Sequence, residues 1–103
     1  MKSSTSEHAP TEIALDSCAE SEWIVVRTKH SVYELVVLSG KHGAVLVRGG
    51  RLFPTFQRAT VAGSVIGPAA VRLASIVIGL HLELRVGTHS FVTSRIEAVS
   101  KGS

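Results

Sequence analysis

The chain is poor in the residue types that most enzymes and secreted domains depend on. It has one cysteine, Cys18, in 103 residues. That excludes an internal disulfide and fits a reducing compartment, here read as the cytoplasm. It has one aspartate, Asp16, and after residue 22 its only acids are Glu34, Glu83 and Glu97. A paired-carboxylate mechanism has little to work with in so few acids. Cys18 has no fixed histidine near it in sequence, and Ser64, Ser75, Ser90, Thr93 and Ser94 lie in no nucleophile-elbow context. The chain therefore reads as non-enzymatic. Charged residues make up 18% of it, a low share.

Long uninterrupted apolar runs are also missing. Residues 59–82 come nearest, but Arg72 stands near their middle, and Gly63, Gly67, Pro68 and Gly79 interrupt them. A central arginine costs a membrane helix roughly 2.5–3.5 kcal/mol. The stretch also runs into a period-two pattern, which a helix would not show. No membrane span is expected, and the first 22 residues hold no apolar signal-peptide core.

What the chain does have is alternation. In residues 76–86, Ile76, Ile78, Leu80, Leu82, Leu84 and Val86 fall on one face, with Val77, Gly79, His81, Glu83 and Arg85 on the other. Six apolar residues at period two predict a strand buried on one side. At ~3.3 Å per residue it would span roughly 36 Å, about twice the usual strand length. A bend is therefore expected at Gly79.

Around it, residues 23–28 and 32–38 read as a hairpin across Lys29-His30-Ser31, and 44–48 as the next strand after a glycine-containing turn. Residues 51–56 should be irregular, because Pro54 cannot donate to a central ladder. Residues 57–63 read as a strand, and 64–75 as loop with at most one helical turn between Pro68 and Ser75. Gly87-Thr88 fits a two-residue type II′ turn leading to a last strand over 89–100, with Val92, Ile96 and Val99 as core candidates. Strands every eight to twelve residues predict an all-β fold: a small five- to six-stranded barrel or sandwich of SH3-like or OB-like kind. The expected organisation is a disordered acidic tail over 1–22, a single β-barrel domain over 23–100, and a frayed end over 101–103.

Charge divides the same way. Residues 1–22 carry a formal charge of −4 and the remainder +7. A basic body attracts polyanions, and an acidic tail could fold back over it and compete. Residues 48–58 concentrate the signal: Arg48, Arg51 and Arg58 with Phe53 and Phe56, in a stretch holding two glycines and a proline. Arginine makes charge-assisted bonds to phosphate, and an exposed phenylalanine offers a face for a base to stack on. Lys41 extends the group from the preceding turn. Nucleic acid, single-stranded first, is the expected partner. The bland alternative is that Phe53 and Phe56 plug the barrel end while the arginines face water.

His81 and Glu83 project together, with His89 across the hairpin, but this is too few ligands for a metal site, and no cofactor is expected. Gly63-Ser64-Val65-Ile66-Gly67 resembles one half of the PilZ pattern of β-barrels that bind cyclic dinucleotides. It departs from that pattern at Ala62, where an acid or amide is required, and in the two-residue spacing of Arg48 and Arg51. The chain is not assigned to that family. A competing expectation is a protein-interaction or homo-oligomeric module that pairs through an exposed strand edge, at 36–38 or 76–80.

Overall fold

Alternating apolar positions set the inner face of each strand. In β2 (Trp23–Thr28), β3 (Val32–Ser39) and β4 (Ala44–Gly49) the inward residues are Ile24 and Val26, Leu35 and Val37, and Val45 and Val47, all buried. β5 (Phe53–Ile66) adds Phe53, Ala59 and Val61, β8 (His81–Val86) adds Leu82 and Leu84, and β9 (His89–Gly102) adds Ile96 and Val99. Each fully buried aliphatic side chain stabilises the fold by about 1.5–3 kcal/mol relative to exposure. The computed structural model describes residues 11–66 and 70–102.

The large sheet pairs in the order β4-β3-β2-β9-β8-β5-β6, where β6 is Ala70–Leu73, and β5 also pairs with β4. Six strands therefore make a continuous circuit, a barrel-like all-β fold. β5 links the two ends. Its first part lies against β4 (Leu46↔Arg58) and its second against β8 (Val61↔Leu84), with a register shift between Val61 and Gly63. At one end Phe53 meets Phe91 edge-on, ring centroids 5.7 Å apart. The other end is covered by a separate two-stranded sheet, β1 (Glu12–Ala14) with β7 (Ser75–Val77). Leu15 follows β1 in a 3-10 turn over Leu15–Ser17, and a Cβ on Gly40 in the β3–β4 turn would sit 2.1 Å from its carbonyl oxygen.

Several expectations are corrected; the briefest is the frayed end, since Lys101 and Gly102 are strand, paired with Ile24 and Trp23. Residues 11–22 are part of the fold rather than a disordered tail. Ile13 and Leu15 enter the core, the Leu15 amide donates to the Ala74 carbonyl at 2.9 Å, and the Ser21 amide to Val37 at 2.7 Å. Their local composition is polar, but two apolar side chains in the right register suffice when a sheet edge is waiting. Residues 1–10 lie outside the described residues.

The long strand over 76–86 is two strands. Gly79 takes φ 94°, and the chain turns there as expected, but it leaves one sheet for another rather than crossing one sheet. Ile76, Leu82 and Leu84 keep the predicted inward face.

Residues 70–73 and 75–77 are strand rather than loop or helical turn, with β6 pairing back on β5 (Gly63↔Leu73). Residues 67–69 of that stretch lie outside the described residues.

Val92 is 57% exposed, and Thr93 takes the inward place. The Gly87-Thr88 turn pairs Val86 with His89, so Phe91 faces Leu84 inside and Val92 must point out. Gly87 has φ 60° and Thr88 is not among the positive-φ residues, the type II′ pattern expected. A register shift then brings Ile96 inward, as expected.

Residues 53–56 begin β5 rather than being irregular throughout, and Pro54 is accommodated by a bulge. Gly49 pairs with Phe53 and Val47 with Gln57, so extra residues on β5 bulge out where the proline sits.

Candidate nucleic-acid interface

The register of β2–β5 assembles an outward face from residues far apart in sequence. Trp23 pairs with Val36, Val36 with Leu46, and Leu46 with Arg58. In the adjoining row Val25 pairs with Glu34 and Glu34 with Arg48. Directly paired residues share a face. The sheet between β2 and β5 is therefore covered on its outside by half-buried Trp23, Val25, Val36 and Leu46.

Phe56 completes this surface. It comes from the bulged start of β5, and its ring meets Trp23 edge-on, with centroids 5.7 Å apart and planes at 85°. The Arg48 guanidinium lies 4.3 Å from the Phe56 ring centroid. Arg48 also donates to Glu34 Oε1 from Nε at 2.8 Å and Nη2 at 2.5 Å. The carboxylate and the ring together fix the position of the guanidinium.

The six sequence candidates separate in space. Arg48 and Phe56 form the centre just described. Arg58 is exposed beside Leu46 on the same face, Arg51 is exposed in the β4–β5 turn, and Lys41 is exposed in the 3-10 turn over Gly40–His42 at the other end of β4. Phe53 is corrected: it is 4% exposed and packs against Phe91, so no base can stack on it. Phe56, three residues further on, differs in role because the bulge at Pro54 turns one ring in and the other out. Trp23 was missed as a site residue. Its signal was present, since Ile24 must face inward and the preceding tryptophan must then face out.

Ion pairing decides which cations are available. Arg27 pairs with Glu97 (3.1 Å), Arg48 with Glu34, Arg85 with Glu83 (3.7 Å) and Lys101 with Glu22 (3.3 Å). Among the described residues, Lys29, Lys41, Arg51, Arg58 and Arg95 have no such partner. Three of these five, Lys41 before β4 and Arg51 and Arg58 after it, are sequence candidates.

Compared with known protein families, curated proteins and solved structures, the chain matches none of them.

The residues considered for other chemistry are held in structural roles. Ser64 is fully buried; its Oγ donates to the Ser75 carbonyl at 2.6 Å and accepts from the Val77 amide at 3.1 Å. It ties β5 to β7 and does not reach a ligand. Burial pushes the Cys18 thiol up from its ordinary pKa, against the opposing pull of Lys101. A thiol kept protonated is a poor nucleophile. The Ala19 amide, which donates to Glu22 at 3.0 Å, holds the Glu22 carboxyl below its ordinary pKa, and Lys101 adds to this. Glu83 accepts from Ser90 at 2.6 Å, and His89 lies against Phe91. No group of three or more His, Cys, Asp or Glu among the described residues is placed to hold a metal. No helix among them is long and apolar enough to cross a membrane.

Proposed function

We propose that this domain is a non-enzymatic binding module for polyanions, single-stranded nucleic acid first, and that its binding surface is the outer face of β2–β5. The observation that carries the reading is the Trp23–Phe56 aromatic pair with Arg48 on it, bordered by the unpaired cations Arg51, Arg58 and Lys41. Stacking on an aromatic ring is worth about 1–3 kcal/mol per base and tolerates any sequence. The cations follow the backbone as point charges, with arginine free to grip a phosphate by two bonds.

Trp23 is the only tryptophan, so it reports on its own surface. Titration with an unstructured oligonucleotide at low salt should quench its fluorescence saturably. Replacing Arg51, Arg58 and Lys41 together with glutamine should weaken binding by roughly 100-fold, at about 1 kcal/mol for each lost charge-assisted contact. All three side chains are exposed, so the fold should survive. Absence of quenching, or full affinity in the triple variant, would remove this site.

The competing reading is a protein-interaction or homo-oligomeric module using a strand edge. It is supported by β6, which pairs only with β5 among the described residues. Such binding would show no steep salt dependence.

A further inference from the structure

Away from the Trp23–Phe56 face, the β2–β3 turn and the irregular middle of β9 enclose a cleft of about 440 Å³ lined by Lys29, His30, His81, Ser94, Arg95 and Glu97. We propose that this cleft binds a tetrahedral oxyanion, either phosphate or the phosphate group of a small phosphomonoester.

The cleft exists because β9 bulges twice within a few residues. Against β8, His81 pairs with Arg95 but Glu83 with Val92, so Leu82 faces two residues, Thr93 and Ser94. Against β2, Arg27 pairs with Ala98 but Thr28 with Ile96, which leaves Glu97 extra. Bulges re-aim side chains and gather beside functional sites. Here they bring Ser94, Arg95 and Glu97 to one opening while Thr93 and Ile96 stay buried.

The walls are held by hydrogen bonds. The Lys29 amide donates to the Arg95 carbonyl (3.0 Å) and the His30 amide to Ser94 Oγ (3.3 Å). Ser94 Oγ donates to Thr28 Oγ1 (2.8 Å), and Thr28 Oγ1 to the Ser31 carbonyl (3.1 Å). Thr93 Oγ1 accepts from the Leu82 amide (3.1 Å) and donates to the Ser94 carbonyl (2.7 Å). The turn is thus tied to the bulge before any ligand arrives, which reduces the ordering cost of binding.

The charge in this frame is positive. Glu97, the one acid in the lining, accepts from Arg27 Nη1 at 3.1 Å. Lys29 and Arg95 have no acidic partner among the described residues, and both are exposed at the mouth. His81 stands directly opposite Arg95, and its Nδ1 lies 2.9 Å from the Thr93 carbonyl. A carbonyl has no proton to give, so Nδ1 carries the hydrogen. Arginine suits a tetrahedral oxyanion by its forked geometry, and lysine by its compact charge. The volume lies within the range of small-molecule sites and leaves room for what the phosphate is attached to.

The test is an amide-resolved NMR titration of the full chain with sodium phosphate at constant ionic strength. Saturable shifts are expected at residues 28–31, 81 and 93–97, with none at Trp23. Lys29→Gln and Arg95→Gln should each weaken binding about 5- to 10-fold, in line with loss of one charge-assisted contact. Both side chains are exposed, and an otherwise unchanged spectrum verifies the fold of each variant. A parallel titration with glycerol 3-phosphate identifies the source. Tighter binding than phosphate assigns the cleft to an ester, equal binding to free phosphate, and both support the site. Shifts that fail to saturate by about 50 mM, where binding is worth less than about 2 kcal/mol, or an unchanged affinity in both variants, would overturn it. Neither result bears on oligonucleotide quenching of Trp23, since the two surfaces share no residue.

Discussion

Ser64 shows how a residue type can mislead until its surroundings are known. In sequence it belongs to a glycine-flanked stretch that resembles part of a ligand-binding pattern. In the fold its hydroxyl serves two backbone groups of β7, the Ser75 carbonyl and the Val77 amide. Leaving such groups buried and unpaired costs about 1–3 kcal/mol. Ser64→Ala should therefore lower unfolding stability by that amount in a urea titration, a large effect for the loss of one oxygen. A change below about 0.5 kcal/mol, the range of ordinary surface substitutions, would show that water replaces the hydroxyl. Phe53 and Phe56 make the same point in reverse. Their composition and spacing invited one role for both, and the bulge at Pro54 decided otherwise. Nothing in the sequence marks the register of that bulge, because it depends on how β4 pairs.

At the scale of elements, β1 and the turn after it behave unlike their composition. A stretch with this many serines and acids cannot order itself. It orders because β7 presents an edge and because Gly40, without a Cβ, lets the backbone carbonyls of Leu15 and Cys18 approach closely. Leu15 is fully buried, so Leu15→Ala should cost about 2–4 kcal/mol, as other buried leucines do. Chemical or thermal denaturation measures this directly. A disordered segment would instead tolerate the change without loss. The same contacts set the outcome of truncation: deleting through residue 20 removes Ile13 and Leu15 from the core and should destabilise the domain. β8 was legible in full, since its period-two face and its type II′ turn are local properties. Its separation from β7 was legible only as a bend at Gly79. Which sheet the chain leaves at that bend depends on β1, about 60 residues earlier in the chain.

For the whole molecule, pairing engages nearly half of the cations that made the sequence look basic. Four of the described cations are engaged by acids, three of them across strands or segments and Arg85 within β8; among the described residues, Lys41, Arg51 and Arg58 stay unpaired around β4 and the start of β5, and Lys29 and Arg95 at the oxyanion cleft. This sets a number for salt dependence. With three cations on a single strand, the logarithm of affinity should fall against the logarithm of salt with a slope of about −2, or roughly 20-fold between 50 and 200 mM. Fluorescence titrations at three or four salt concentrations give the slope. A value near zero would favour the strand-edge reading, and one near −5 would mean that paired cations or the cleft also take part. The sequence alone determined the all-β class, the inward face of most strands, the hairpin turns and the excess of positive charge. These follow from side-chain periodicity and turn chemistry, which act over a few residues. Only the tertiary structure decided that β5 links β4 to β8, that residues 11–22 belong to the fold, that Trp23 meets Phe56, and that Lys29 and Arg95 share a cleft. Those outcomes rest on strand register and bulges between segments distant in the chain, and register is a property of pairs of strands that neither one specifies alone.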